Sequence, residues 1–322
     1  MDSPLLAEPG AVPGTGPDAG VAEHYGDPYA EQRGIVAGWG VVDASHRGVI
    51  KITGQDRLSW LHSLTSQDTE HLAPGASAQA LILDPQGHVQ FHLVLADDGE
   101  ATWVHVEPGT AAGLLEFLTS MRFMLRVEPA DVTADYAVLA LLGPAARPEA
   151  AGPAVVTPEP YRISMIVPRG ELTARVAALR AAGATLAGTW AQEALRIVAG
   201  VPRLGLDTDA RAIPHELGWI ETAVHLSKGC YRGQETVARV HNLGHPPRRL
   251  VRLLLDGSED RLPGHGAEVT LDGAAVGFVG SSARHYELGP VALALVKRTV
   301  PVDATLLADA VSSAWRSTEP GY

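Results

Sequence analysis

The chain has 322 residues, 46% of them apolar, and a formal net charge of −12. That length and apolar content suit two or three domains with buried cores, while the acidic balance argues against an electrostatic grip on nucleic acid or on an anionic membrane surface. A single cysteine excludes an intramolecular disulfide or dithiol exchange within the chain. No basic segment precedes an apolar one at the start, and no apolar run reaches the roughly eighteen residues of a membrane span. The cytoplasm is the expected compartment, with no membrane partner and no direct nucleic-acid binding.

Residues 1–33 carry Pro, Gly, Ala and Asp without periodicity and are expected to form a disordered leader. Val49 to Ile52 reads as a strand running into Gly54. Asp56 then caps a helix whose apolar face is Leu58, Leu61 and Leu64. Strands Ala78 to Leu83 and Val89 to Leu95 flank the turn Asp84-Pro85-Gln86-Gly87, where proline and glycine set the backbone. Trp103 to Val106, an amphipathic segment Thr110 to Leu118 and the return Arg126 to Val132 complete a first α+β domain over 34–133.

A second α+β domain is expected over 134–246. It has strands Tyr136 to Leu142 and Arg162 to Val167, a helix Glu171 to Ala182 with Leu172, Val176 and Leu179 on its buried face, and a helical Thr189 to Gly200. An irregular stretch then reaches Pro214-His215-Glu216, and such loops are usually functional. From Leu250, five short strands with glycine turns predict a small barrel over 247–322. Arg248, Arg249 and Arg252 at its start read as a solvated strand edge.

Between these parts lies the stretch Lys228-Gly229-Cys230-Tyr231-Arg232-Gly233-Gln234-Glu235. Nearby cations or a helix N-terminus lower a thiol's pKa. Lys228 and Arg232 flank Cys230, and Gln234 to His241 reads as a helix with Glu235 four residues before Arg239. Gly229 and Gly233 allow φ > 0 and close approach of a ligand. The plain alternative is a small buried thiol without chemistry. Pairing of Cys230 with His225 or His241 as a hydrolase, or with His241 and His245 on a metal, lacks a supporting surround, and no metal site is expected.

These eight residues resemble the K-G-C-[YF]-x-G-Q-E signature of the YgfZ-type folate-binding proteins, relatives of the glycine-cleavage aminomethyltransferase (T-protein). Ile52 to Arg57, Leu83 to Gly87, Arg196 to Arg203, Pro214 to Glu216, Val276 to Ser281 and Ala292 to Ala294 agree in order along the chain. The resemblance implies three domains around a central cavity, a bound tetrahydrofolate or derivative, and a role in maintaining iron–sulfur enzymes, with an indirect effect on tRNA modification. Iron–sulfur proteins or their assembly factors would be the partners.

It also implies a site. Cys230 is the reactive thiol; Lys228, Gly229, Tyr231, Arg232, Gly233, Gln234, Glu235 and Arg239 form the loop around the folate. Arg47 and Gln192 align where some relatives carry tryptophans, with Trp190 two residues away. Glu216 either meets the pterin or is solvated, and Arg196 either meets the folate tail or makes a surface pair. The alternative activity is aminomethyl transfer, and two departures weigh against it. His92 stands where the transferase has a carboxylate, and neutral imidazole cannot act as a fixed anion. Val198 replaces its pterin-side glutamate.

Overall fold

The computed structural model describes residues 1–257, 261–309 and 315–318. The first elements are β1 (Ala11–Pro13), β2 (Ala22–Tyr25) and α1 (Pro28–Ala37). The leader expected to be disordered is thus ordered. β1 pairs antiparallel with β2, Leu5 and Val21 are buried, and Asp27 caps α1 by accepting from the N–H groups of Tyr29 and Ala30. A few anchored side chains suffice to order a terminal segment against an existing core, and composition alone does not reveal them.

Next come β3 (Gly40–Asp43), β4 (Gly48–Thr53), α2 (Arg57–Leu64), β5 (Ser77–Leu83), β6 (Val89–Asp97), β7 (Ala101–Val106), α3 (Ala111–Ser120) and β8 (Glu128–Asp131). One sheet runs β5-β6-β7-β4-β8, and α2 and α3 cover it with Trp60, Leu61, Leu114 and Leu118 against Ile50, Ile52, Leu93 and Leu95. The chain continues through β9 (Tyr136–Leu142), β10 (Val155–Pro158), β11 (Ile163–Pro168), α4 (Leu172–Ala181), β12 (Thr185–Ala187) and α5 (Thr189–Val198).

The second sheet runs β10-β11-β9-β3-β12. A boundary at 133/134 therefore does not separate the two sheets, because β3 lies inside the second one, antiparallel to β9 and parallel to β12. Val41 and Val42 bury opposite faces of β3, one against Leu139 and Met165, the other against Val138 and Ala140. Strands buried on both faces lose the alternation that marks them in a sequence.

The last elements are α6 (Trp219–Ala223), α7 (Gln234–Leu243), β13 (Arg248–Leu254), β14 (Glu268–Leu271), β15 (Ala274–His285), β16 (Gly289–Lys297), β17 (Thr305–Ala308) and β18 (Trp315–Thr318). The strands among them close in the order β13-β16-β15-β14-β17-β18. The segment before them packs on the first sheet, not the second: Leu217, Trp219, Tyr231 and Val237 share a core with Leu81, Leu83 and Val89. No helix among the described residues is long and apolar enough to cross a membrane.

Candidate functional site

The loop ahead of α7 is seated on the β5–β6 turn by two glycines. Gly233 (φ 82°) caps α7, and a Cβ there would lie 2.7 Å from the Asp84 carbonyl oxygen; one on Gly87 (φ 86°) would lie 2.8 Å from Thr236 Cβ. The turn and the cysteine loop, separated by more than a hundred residues, thus meet backbone to backbone.

Lys228 is buried. Its ammonium donates to the carbonyls of His62, of Thr65 at 2.6 Å and of Gln67 at 3.2 Å, where a helix C-terminus favours a cation. It also lies 5.2 Å from the Tyr231 ring centroid, and its carbonyl accepts from Gln234 Nε2. Burial lowers its pKa to about 8. Lys228 therefore anchors the loop to α2 instead of serving the thiol. Cys230 is exposed, as are Arg232, Glu235 and Arg239. Among the described residues no hydrogen bond links Cys230 to His225 or His241, and no cluster of three or more metal-ligating side chains includes it. The imidazole brought to this loop is His62: its Nε2 would lie 4.0 Å from a Cβ on Gly229, and Asp68 sits 3.1 Å from its Nδ1. No spacing in the sequence pointed to His62.

A cavity of about 270 Å³ opens between Gln79, Pro160, the Gly200–Pro202 segment, Leu217, Trp219, Glu221 and Thr222. His92 sits beside it. Its ring stacks on Trp219 at 4.6 Å and its Nε2 lies 2.9 Å from Gln79 Oε1. Burial lowers its pKa to about 4, so the ring is neutral near pH 7.

The other expected residues lie elsewhere. Arg196, weighed as a surface or folate contact, has a fully buried side chain and gives its N–H groups to Glu193, Asp207, the Val201 carbonyl and Ser281. Glu216 is also buried, neither solvated nor free: it accepts from Arg248 and from the Ile213 N–H. Arg248, read as a solvated edge, pairs with Glu216 and Asp209. Arg47 is buried on Glu107 at 2.7 Å and on His105 Nδ1. Trp190 lines a separate cavity of about 300 Å³ beside His24. Gln192, on α5, is buried with no partner for Oε1 among the described residues.

Arg47 and Arg196 belong to one buried ionic network. Arg203 joins Glu107, Asp18 and Glu193, and Glu193 joins Arg196, which reaches Asp207. Burial pushes the Glu107 carboxyl up, but the Arg203 and Arg47 guanidiniums overcome it and hold it well below the usual carboxylate range. The network links the β1–β2 segment, the ends of β4 and β7, α5 and, through Ser281, β15.

The chain is 30% identical over 295 residues to the aminomethyltransferase of Geobacillus kaustophilus (strain HTA426), covering 81% of this chain and 80% of that one. The chain belongs to the aminomethyltransferase family. Residues 23–151 match the GCVT N-terminal domain. The glycine cleavage system aminomethyltransferase T of Bartonella henselae shares the fold, with a TM-score of 0.84 at 20% identity over 98% of this chain and 95% of that one. Another relative is a mitochondrial iron-sulfur cluster assembly factor, the IBA57 homolog of Mycosarcoma maydis, 30% identical over 233 residues. That match covers 67% of this chain and 57% of the factor's length, less than two thirds. Within this chain the Cys230 loop lies against α2 and the Asp84–Gly87 turn, and none of its residues lines the 270 Å³ cavity.

Proposed function

We propose that this chain is a tetrahydrofolate-binding accessory protein for iron–sulfur cluster assembly or repair, and not a working aminomethyltransferase. The observation that carries the second half is His92. At the position where the resemblance expects a carboxylate, a neutral imidazole is held between Trp219 and Gln79 and offers no fixed negative charge. The folate half rests on membership of the aminomethyltransferase family and on the fit of the 270 Å³ cavity. Trp219, Leu217, Pro160 and Pro202 supply flat apolar walls, and Gln79, Glu221 and Thr222 supply a few polar groups, the composition that suits a planar heterocycle. The iron–sulfur half is supported by the relative named as an assembly factor and by an exposed thiol at the signature loop. Three domains around a central cavity, action in the cytoplasm and an indirect effect on tRNA modification through an iron–sulfur enzyme belong to the same reading.

Calorimetric titration with tetrahydrofolate should give saturable binding; its absence removes the folate half. Incubation with aminomethyl-loaded lipoyl carrier protein should give no turnover, and measurable transfer would establish the transferase instead.

A further inference from the structure

A hollow of different chemistry opens where the β5–β6 turn, the irregular stretch before α6, the middle of α7 and the start of β13 meet. This cavity, of about 580 Å³, is walled by Gln86, Arg211, Ile213, Thr236, Arg239 and Arg248 among others. It shares no wall residue with the 270 Å³ cavity, so it stands apart from the folate reading, and Arg239, expected beside the folate, lines it instead. Its donors are reachable. Arg211 and Arg239 are both exposed, and among the described residues neither guanidinium makes a hydrogen bond or an ion pair. They come from separate elements, the irregular stretch and α7, yet border one hollow. An arginine keeps its charge at any ordinary pH and carries five N–H donors in a planar fork. Two such forks are therefore open to a ligand at one cavity.

The carboxylates around the same walls are committed already. Glu216 accepts from Arg248 and from the Ile213 N–H. Asp209 takes the other side of Arg248 at 2.7 and 3.0 Å and the Arg211 backbone N–H at 3.1 Å, and it meets the Arg211 side chain only through space. Asp84 accepts from the Gln86 and His88 N–H groups and lies 2.8 Å from His88 Nδ1. Arg248 is thereby neutralised in place, and the charges left unbonded at the hollow are the two guanidiniums. Ile213, Val240 and Pro247 add apolar wall.

We propose that this cavity binds a small organic molecule bearing two anionic groups, one received by Arg211 and the other by Arg239. A guanidinium fork matches a carboxylate or a phosphoryl group through two parallel N–H···O bonds, and the apolar wall suits the carbon frame between them. A single anionic group would leave one fork in water. The volume lies within the roughly 300–1,000 Å³ of small-molecule sites. A chain of net charge −12 repels free anions as a whole, so recognition here depends on these two side chains.

The full chain is titrated by calorimetry with pyrophosphate and with linear dicarboxylates from glutarate to suberate, against butyrate at matched ionic strength. At least one dianion should bind saturably, about tenfold or more tighter than butyrate, and the tighter class tells a phosphorylated ligand from a polycarboxylate. Arg211→Gln and Arg239→Gln should each weaken that binding about tenfold. Because neither side chain bonds to the protein, both variants should melt as the parent does without ligand. Arg33→Gln, which removes an exposed charge elsewhere, should bind as the parent does. No saturable dianion binding by the parent, butyrate binding equally well, full affinity retained in Arg211→Gln or in Arg239→Gln, or an equal loss in Arg33→Gln overturns the proposal.

Discussion

Burial lowers the pKa of His92 to about 4, against about 6.5 for a histidine in the unfolded chain. Between those values the unfolded state binds a proton that the folded state does not, so stability falls as pH drops from 6.5 toward 4. One pKa unit corresponds to about 1.4 kcal/mol, so this group costs about 2 kcal/mol between pH 6.5 and 5. Carboxylates contribute little in that upper window. Urea denaturation at the two pH values should therefore show a larger loss for the parent than for His92→Gln, and equal losses would refute a half-buried ring held neutral. Lys228 makes the complementary case. Replacing it with Met leaves the carbonyls of His62, Thr65 and Gln67 without their donor and should cost about 1–3 kcal/mol. A melting temperature unchanged in Lys228→Met would show that the ammonium does not hold the loop. The sequence identified both residues as notable, but neither orientation was readable from it. A lysine two positions from a cysteine can point at the thiol or away, and only the position of α2 decides.

At the scale of elements, legibility followed periodicity. The helix starting at Arg57, the strand pair around Asp84–Gly87 and the buried face of α4 lie where the apolar spacing put them. β3 escaped notice because four residues buried on both faces carry no alternation, and β1 and β2 because their order comes from contacts with the body of the protein. The docking of the β5–β6 turn against α7 was legible only as two glycine-containing motifs, with nothing to say that they touch. That contact makes its own prediction. Gly233→Ala places a methyl 2.7 Å from the Asp84 carbonyl oxygen at a φ of 82°, where a left-handed non-glycine residue alone costs roughly 1–2 kcal/mol. We expect a loss of about 2–4 kcal/mol once the backbone clash is included. Alkylation of Cys230 should also change rate, because the loop must lift off the turn. A denaturation midpoint and alkylation rate equal to the parent's would mean that the two motifs are not packed as described.

The molecule as a whole is held together by charge as well as by apolar layers, and this was the part hidden from sequence reasoning. Arg47 and Glu107 are 60 residues apart and Arg203 and Glu107 are 96 apart, so no local spacing marks them. Taken singly, each is an ordinary arginine or glutamate. Together they lie where both sheets, α5 and β15 meet, and Gly280 leaves Asp207 room to reach that junction: a Cβ there would lie 2.3 Å from Asp207 Oδ1. Removing one member of a buried ionic group leaves its partners charged and desolvated, which typically costs about 3–5 kcal/mol. Arg196→Met strands Asp207 in this way, while Glu193 keeps its ion pair with Arg203. Pairing it with Asp207→Asn removes the stranded charge, so the double variant should be more stable than the sum of the two single losses predicts, with a coupling of about 1–3 kcal/mol. Because the Arg196 and Asp207 side chains are fully buried, 0.5 M salt should leave that coupling nearly unchanged, whereas an exposed pair would be screened. Strict additivity, or a coupling that salt abolishes, would show that these charges act separately and that apolar packing alone joins the sheets to the strands that close after them.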